Sequence, residues 1–143
     1  MKIENIIRRV LREEQEEQIL KIPGIRYFNN DWSILQKFLE SQGYPRYSIG
    51  GDLDLREMDI ESLGNLVRVE GNLDLQSCKN LVSLGDLEYV GDGLDLFDCK
   101  NLKSLGNLEY VGGFLSLGYT PLSKKYTKEE IRNMVEVVGV IYL

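Results

Sequence analysis

Histidine is absent from this chain of 143 residues, and cysteine occurs only twice. The first absence removes the commonest general base, the usual partner of a nucleophilic serine or cysteine, and the commonest metal ligand. The second rules out a disulfide framework and leaves no set of thiolates that completes a zinc site. No apolar run approaches the roughly 18 residues that cross a bilayer. Residues 1–20 lack a continuous apolar segment and are too charged for a secretory signal, so the expected compartment is the cytoplasm. Phosphate-cradling glycine loops and nucleophile elbows are missing as well. These absences argue against an enzyme, a cofactor, a metal centre and a membrane protein.

Basic charge is also scarce where acidic charge is plentiful. Residues 1–50 carry 8 basic and 7 acidic side chains, whereas residues 51–122 carry 5 and 13. Non-specific binding to nucleic acid needs a basic face that displaces counterions from phosphate. The middle of the chain has the opposite sign, which excludes nucleic acid as the expected partner. An acidic surface favours a basic partner or a cation, although a solvated face that keeps the protein soluble is the plainer reading.

What the chain does contain is a repeat. From Gly71 it reads GNLDLQSCKNLVSLGDLEYV, and from Gly93 GLDLFDCKNLKSLGNLEYV, with a looser copy from Gly51 and a truncated one from Gly113. The equivalent leucines Leu53, Leu73, Leu94 and Leu115 are spaced by 20, 21 and 21 residues. A period of this length signals a solenoid, in which no unit buries its apolar face alone. In each unit the L-x-L run alternates at period two, pointing leucines inward and the intervening residues outward. The S-L-G steps at Gly64, Gly85 and Gly106 then turn the chain, with glycine supplying a positive φ. Leu66, Leu87 and Leu108, with Val69, Val90 and Val111, return to the core.

The flanks read as helices. Ile3, Ile6, Ile7, Val10 and Leu11 form an apolar stripe within an expected helix over residues 1–20, with Glu4–Arg8, Arg9–Glu13 and Arg12–Glu16 at i, i+4 spacing and Pro23-Gly24 as its stop. A second helix is expected from Asp31 as N-cap through Gln42, with Gly43 as the stop and Trp32, Leu35, Phe38 and Leu39 on its apolar face. Residues 1–46 are therefore expected to cap the solenoid formed by residues 47–143. Past the break at Pro121, the capping box Thr127–Glu130 opens a helix expected over about 128–138. Residues 139–143 then read as a last strand, a fifth rung whose approach has been rebuilt.

The run Leu94-Asp95-Leu96-Phe97-Asp98-Cys99-Lys100-Asn101-Leu102 resembles the cysteine-bearing leucine-rich repeat, and the V-G and S-L-G steps are similar to receptor L domains. The period is like that of the short bacterial and viral repeats. The resemblance covers residues 47–122, with residues 138–143 matching more weakly. It implies an α/β solenoid of about five rungs with parallel strands, an extended convex side, and protein recognition on the concave sheet. Met58 and Thr120 stand where the motif has cysteine, and Asp59 and Pro121 near its asparagine position, so the end repeats depart from it.

Two constellations stand out. Cys78 and Cys99 lie one repeat apart, where stacking places equivalent residues about 4.8 Å from each other. A small buried hydrophobe is the reading preferred to a disulfide, because both side chains point the same way into the core. The outward strand positions form three columns: Asp54, Asp74, Asp95 and Ser116; Asp52, Asn72, Gly93 and Phe114; Arg56, Gln76, Phe97 and Gly118. Like-charged neighbours at that spacing repel by about 1 kcal/mol in a water-like dielectric. Asp52, Asp54, Arg56, Asn72, Asp74, Gln76, Asp95, Phe97, Phe114 and Ser116 are thus the candidate face for another protein with a basic surface. A hydrated ladder with edge aromatics packed by the caps is the alternative. The function expected is that of an interaction module. A structural or assembly component of virion or phage type, with the repeats as a spacer, is the other reading. Partner identity and oligomeric state are not encoded in the pattern.

Overall fold

The computed structural model describes residues 2–143, apart from the side chains of residues 14–17. It shows an α/β solenoid-like repeat, parallel strands flanked by helices at both ends. Chain order runs α1 (Ile3–Glu17), β1 (Leu20–Ile22), a 3-10 turn (Ile25–Phe28), α2 (Trp32–Ser41), β2 (Tyr47–Ile49) and β3 (Leu53–Asp54). Then follow β4 (Leu66–Val69), β5 (Leu73–Asp74), β6 (Tyr89–Val90), β7 (Leu94–Asp95), β8 (Tyr110–Val111) and β9 (Leu115–Ser116). The chain closes with α3 (Pro121–Lys125), α4 (Lys128–Met134), β10 (Glu136–Val137) and β11 (Ile141–Tyr142).

Each L-x-L run gives one short strand, and these stack as a sheet ordered β11-β9-β7-β5-β3. The leucines lie in register, Leu53 on Leu73, Leu73 on Leu94 and Leu94 on Leu115, with Ile141 completing the column. All five are buried. A second parallel sheet, ordered β1-β2-β4-β6-β8-β10, stacks the valines of the other arm. Val69, Val90 and Val111 share its inner face and are fully buried. Gly64, Gly85 and Gly106 do adopt positive φ, at 59°, 61° and 56°. The same backbone state recurs at Glu57, Ser77, Asp98 and Tyr119, where no glycine announces it.

The flanks differ from expectation at both ends. Helix α1 stops at Glu17 rather than reaching Leu20, because Leu20–Ile22 is drawn into the second sheet as β1, paired with β2. Its apolar stripe does not pack on the solenoid: Ile3, Ile7 and Leu11 are 71%, 52% and 52% exposed. The expected Arg12–Glu16 pair lies outside the described residues. The N-terminal core is covered instead by α2, which buries Trp32, Leu35 and Leu39. Asp31 caps that helix, its Oδ1 accepting the Ser33 N–H at 2.9 Å. Gln36 Nε2 donates to the Tyr47 hydroxyl at 3.2 Å, tying α2 to the first strand of the repeats.

At the other end, α4 ends at Met134 instead of 138, since Glu136–Val137 leaves the helix to pair with β8. The last strand is correspondingly narrower than residues 139–143. Helix α3 was not anticipated, although Thr120 caps it and Pro121 stands in its first turn, a standard helix opening. The capping box is present, with Thr127 Oγ1 accepting from Glu130 N at 3.2 Å and Glu130 Oε1 from Thr127 N at 3.1 Å. Arg132 of α4 donates to the carbonyls of Val137 at 2.6 Å and Gly139 at 2.9 Å. In the preceding rungs, equivalent carbonyls accept from the next rung, as Val90 O does from Gly112 N and Asp92 O from Gly113 N. One guanidinium therefore takes the place of a further rung.

Both cysteines are free and fully buried. Each thiol donates to a carbonyl of the preceding rung, Cys78 to Leu55 and Cys99 to Leu75, both at 3.0 Å. Burial raises both thiol pKa values, that of Cys99 to about 12, which disfavours a reactive thiolate. Cys78→Ala or Cys99→Ala should each lower stability by roughly 1–2 kcal/mol through lost packing. Thermal melts with and without reductant should superimpose. A shift of many degrees on adding reductant would contradict free cores of this kind.

Candidate interaction surface

The outward columns do form on the L-x-L sheet. Strand register places Asp54 beside Asp74, Asp74 beside Asp95, and Asp95 beside Ser116. The carboxylates are not a bare ladder, however. Each accepts the backbone N–H two residues on: Asp54 from Arg56 at 3.1 Å, Asp74 from Gln76 and Asp95 from Phe97 both at 3.0 Å. These local bonds close the strand and turn the chain, which gives the aspartates a folding role that repulsion alone does not suggest.

The side chains also answer one another across rungs. Arg56 grips Asp54, Nη2 to Oδ2 at 2.8 Å, and its Nε lies 3.5 Å from Asp74. Gln76 Nε2 donates to Asp95 Oδ2. The flanking column is backbone support: Asp52 Oδ1 accepts from Asn72 N at 2.7 Å, and Asn72 Oδ1 from Gly93 N at 2.9 Å. A hollow of about 400 Å³ opens at this end of the face, between Asp54, Arg56 and Gln76.

The Arg56 hydrogen bond holds the Asp54 carboxyl below its ordinary pKa. Burial pushes that of Asp74 up, with the charges of Asp95 and Asp54 adding to it against the Gln76 and Arg56 contacts. A carboxylate whose folded pKa is raised opposes folding at neutral pH, and that opposition disappears as pH falls through the folded value. Asp54 acts oppositely: its contribution is present above the unfolded pKa and is lost as pH falls through the depressed folded one. Asp74→Asn keeps an acceptor for the Gln76 N–H, so it should stabilise the protein at pH 7 by about 0.5 kcal/mol. That gain should vanish in acid, where wild-type Asp74 is itself neutral. Urea midpoints at both pH values check this. A loss of stability at pH 7 would mean that the Arg56 contact outweighs the burial of the charge.

Toward the C-terminal rungs the face becomes aromatic. Phe97 and Phe114 are 40% and 37% exposed. Each leans straight across onto the glycine that occupies its own column on the neighbouring rung. A Cβ on Gly118 would sit 2.9 Å from Phe97 Cδ2, and one on Gly93 2.6 Å from Phe114 Cδ1. Phe97 also meets Tyr119 edge to face at 5.3 Å between centroids, and Phe114 meets Tyr142 at 6.3 Å. Exposed rings braced in this way lose little freedom when a partner covers them.

No family model, curated protein or solved structure matches this chain.

Of the candidate residues, Asp54, Asp74, Asp95 and Ser116 form the central column, Arg56, Gln76 and Phe97 the column on one side, and Asp52, Asn72 and Phe114 the column on the other, where Asp52 and Asn72 brace backbone. Tyr119 and Tyr142, which extend the aromatic half, escaped the sequence reading. Their signal was available at one residue only, since Tyr142 follows the inward Ile141 as Ser116 follows Leu115. The second sheet carries its own outward ladder. The Arg68 guanidinium carbon stands 4.0 Å from the Tyr89 ring centroid, and Tyr89 stacks on Tyr110 at 4.9 Å. That ladder accounts for Tyr89 and Tyr110 as packing between rungs. Among the described residues no group of histidine, cysteine or carboxylate side chains is placed to hold a metal ion, and no helix is long and apolar enough to cross a membrane.

Proposed function

We propose that this chain is an interaction module of the leucine-rich-repeat kind, binding another protein through the outer face of the β3–β11 sheet. The observation that carries the reading is the pair Phe97 and Phe114, exposed yet braced on Gly118 and Gly93 beside a column of carboxylates. Aromatic anchors within a polar surround suit the centre of a protein interface. The acidic neighbours favour a partner with a basic surface, since complementary charge speeds encounter and fixes register. Neither catalysis nor nucleic-acid binding is proposed.

The exposed stripe of α1 favours a second reading, in which that helix docks into an assembly and the repeats act as a spacer. Photo-crosslinking separates the two. A benzophenone side chain at Ser116, at Ile7, or at exposed Val82 on the opposite arm reports which surface is covered in source cells. The proposed function expects one discrete adduct from Ser116 and none from Val82. Adducts from Ile7 alone would establish the assembly reading in its place.

A further inference from the structure

We propose that the face has a subsite for one arginine side chain of the partner, in the trough between Phe97 and Phe114 above Asp95 and Ser116. This rests on reading the face as an interaction surface, and it narrows the partner to a segment that presents an exposed guanidinium. Three observations meet there. First, the walls are complementary: Phe97 lies over Gly118 and Phe114 over Gly93, so each ring occupies the space of a missing side chain on the adjacent rung. Four residues of extended chain separate positions 93 and 97, so the rings stand roughly 13 Å apart at their bases and a guanidinium seated on Asp95 stacks on one of them at a time.

Second, the floor is charged. Asp95 is the one member of the carboxylate column without a cation at hand among the described residues. Asp54 holds Arg56, and Asp74 has the same guanidinium at 3.5 Å, but Asp95 accepts only from the neutral Gln76 amide and the Phe97 N–H. Those two bonds fix the carboxylate in place and leave acceptor capacity facing outward.

Third, the combination selects the chemistry. A planar guanidinium stacks on a phenyl face and forks onto a carboxylate from the same position. Arg68 already stacks on Tyr89, its register partner on the next rung of the other sheet, so a guanidinium–ring contact is one this surface chemistry accommodates.

The test uses the full chain and two small probes, Nα-acetyl-arginine N-methylamide and its citrulline analogue, which has the same shape without the charge. Amide chemical shifts are followed by NMR as each is titrated at millimolar concentration. The arginine probe should perturb residues 93–98 and 114–119, with the citrulline analogue weaker by at least about fivefold. Asp95→Asn should weaken the arginine probe about tenfold, and the Phe97→Ala/Phe114→Ala double variant about two- to fivefold. All three side chains reach solvent, and an unchanged melting temperature confirms that each variant is folded. Equal response to both probes, or an arginine response untouched by Asp95→Asn, would overturn the subsite. Shifts centred on residues 52–56 would overturn it too while leaving the face as an interaction surface. Loss of the Ser116 crosslink in cells is a separate failure, that of the wider reading.

Discussion

Removing residues 1–18 should leave the melting temperature almost unchanged, whereas removing residues 1–46 should give a product that aggregates. The two deletions differ in what they uncover. The first takes away α1, whose apolar stripe is already exposed, and spares β1. The second also removes the β1 pairing with β2 and the α2 cover of Trp32, Leu35 and Leu39. Each of those side chains gains roughly 1.5–3 kcal/mol by burial. Their sum rivals the 5–15 kcal/mol, to order of magnitude, that holds a whole domain together. Leu53, Leu63 and Leu66, at 2% exposure or less, would then face water. Light scattering and thermal melts of both products check the contrast. A soluble, cooperatively melting chain of residues 47–143 would show that the first rung needs no cap.

Leu94→Ala should cost about 3–4 kcal/mol, near the upper half of the range for buried leucine truncations. Leu94 has no accessible surface and sits in register between Leu73 above and Leu115 below. Shortening it leaves a hole against both neighbours. In a stack each rung touches only the next, so damage in the middle weakens two interfaces together. Val82→Ala on the exposed arm, at 41% exposure, should stay within about 0.5 kcal/mol and serves as the control. Urea unfolding measures both. A cost below about 1 kcal/mol for Leu94→Ala would show that the core relaxes around the gap.

The fold is most legible in the residues where the repeat is most regular. Leu53, Leu73, Leu94 and Leu115, the three S-L-G glycines and the buried cysteines all follow from spacing, because stacking forces equivalent residues into equivalent surroundings. The signal weakened where strands are short. Leu20–Ile22 joins the second sheet with three residues, too few to register as alternation beside a strong helical stripe, so α1 was drawn too long. Glu136–Val137 was absorbed into α4 for the same reason. The face was legible in composition but not in pairing. Asp54, Asp74 and Asp95 read as a repulsive ladder, since the Asx bonds to residues two ahead and the reach of Arg56 to Asp74 depend on side-chain direction. Nor did spacing reveal that Phe97 and Phe114 lean across to glycines of the neighbouring rungs. That contact exists only because glycine stands next to phenylalanine in each column, and how far a ring leans depends on side-chain direction, not on spacing.

The most direct measurement of the central claim is the affinity of the protein that crosslinks at Ser116 for wild type and for the Phe97→Ala/Phe114→Ala double variant, by calorimetry. Two interface anchors at about 1–2 kcal/mol or more apiece correspond to a loss of roughly 30- to 1000-fold. The account predicts that loss with an unchanged melting temperature, because both rings lie outside the leucine core. Equal affinity in the two proteins would contradict it.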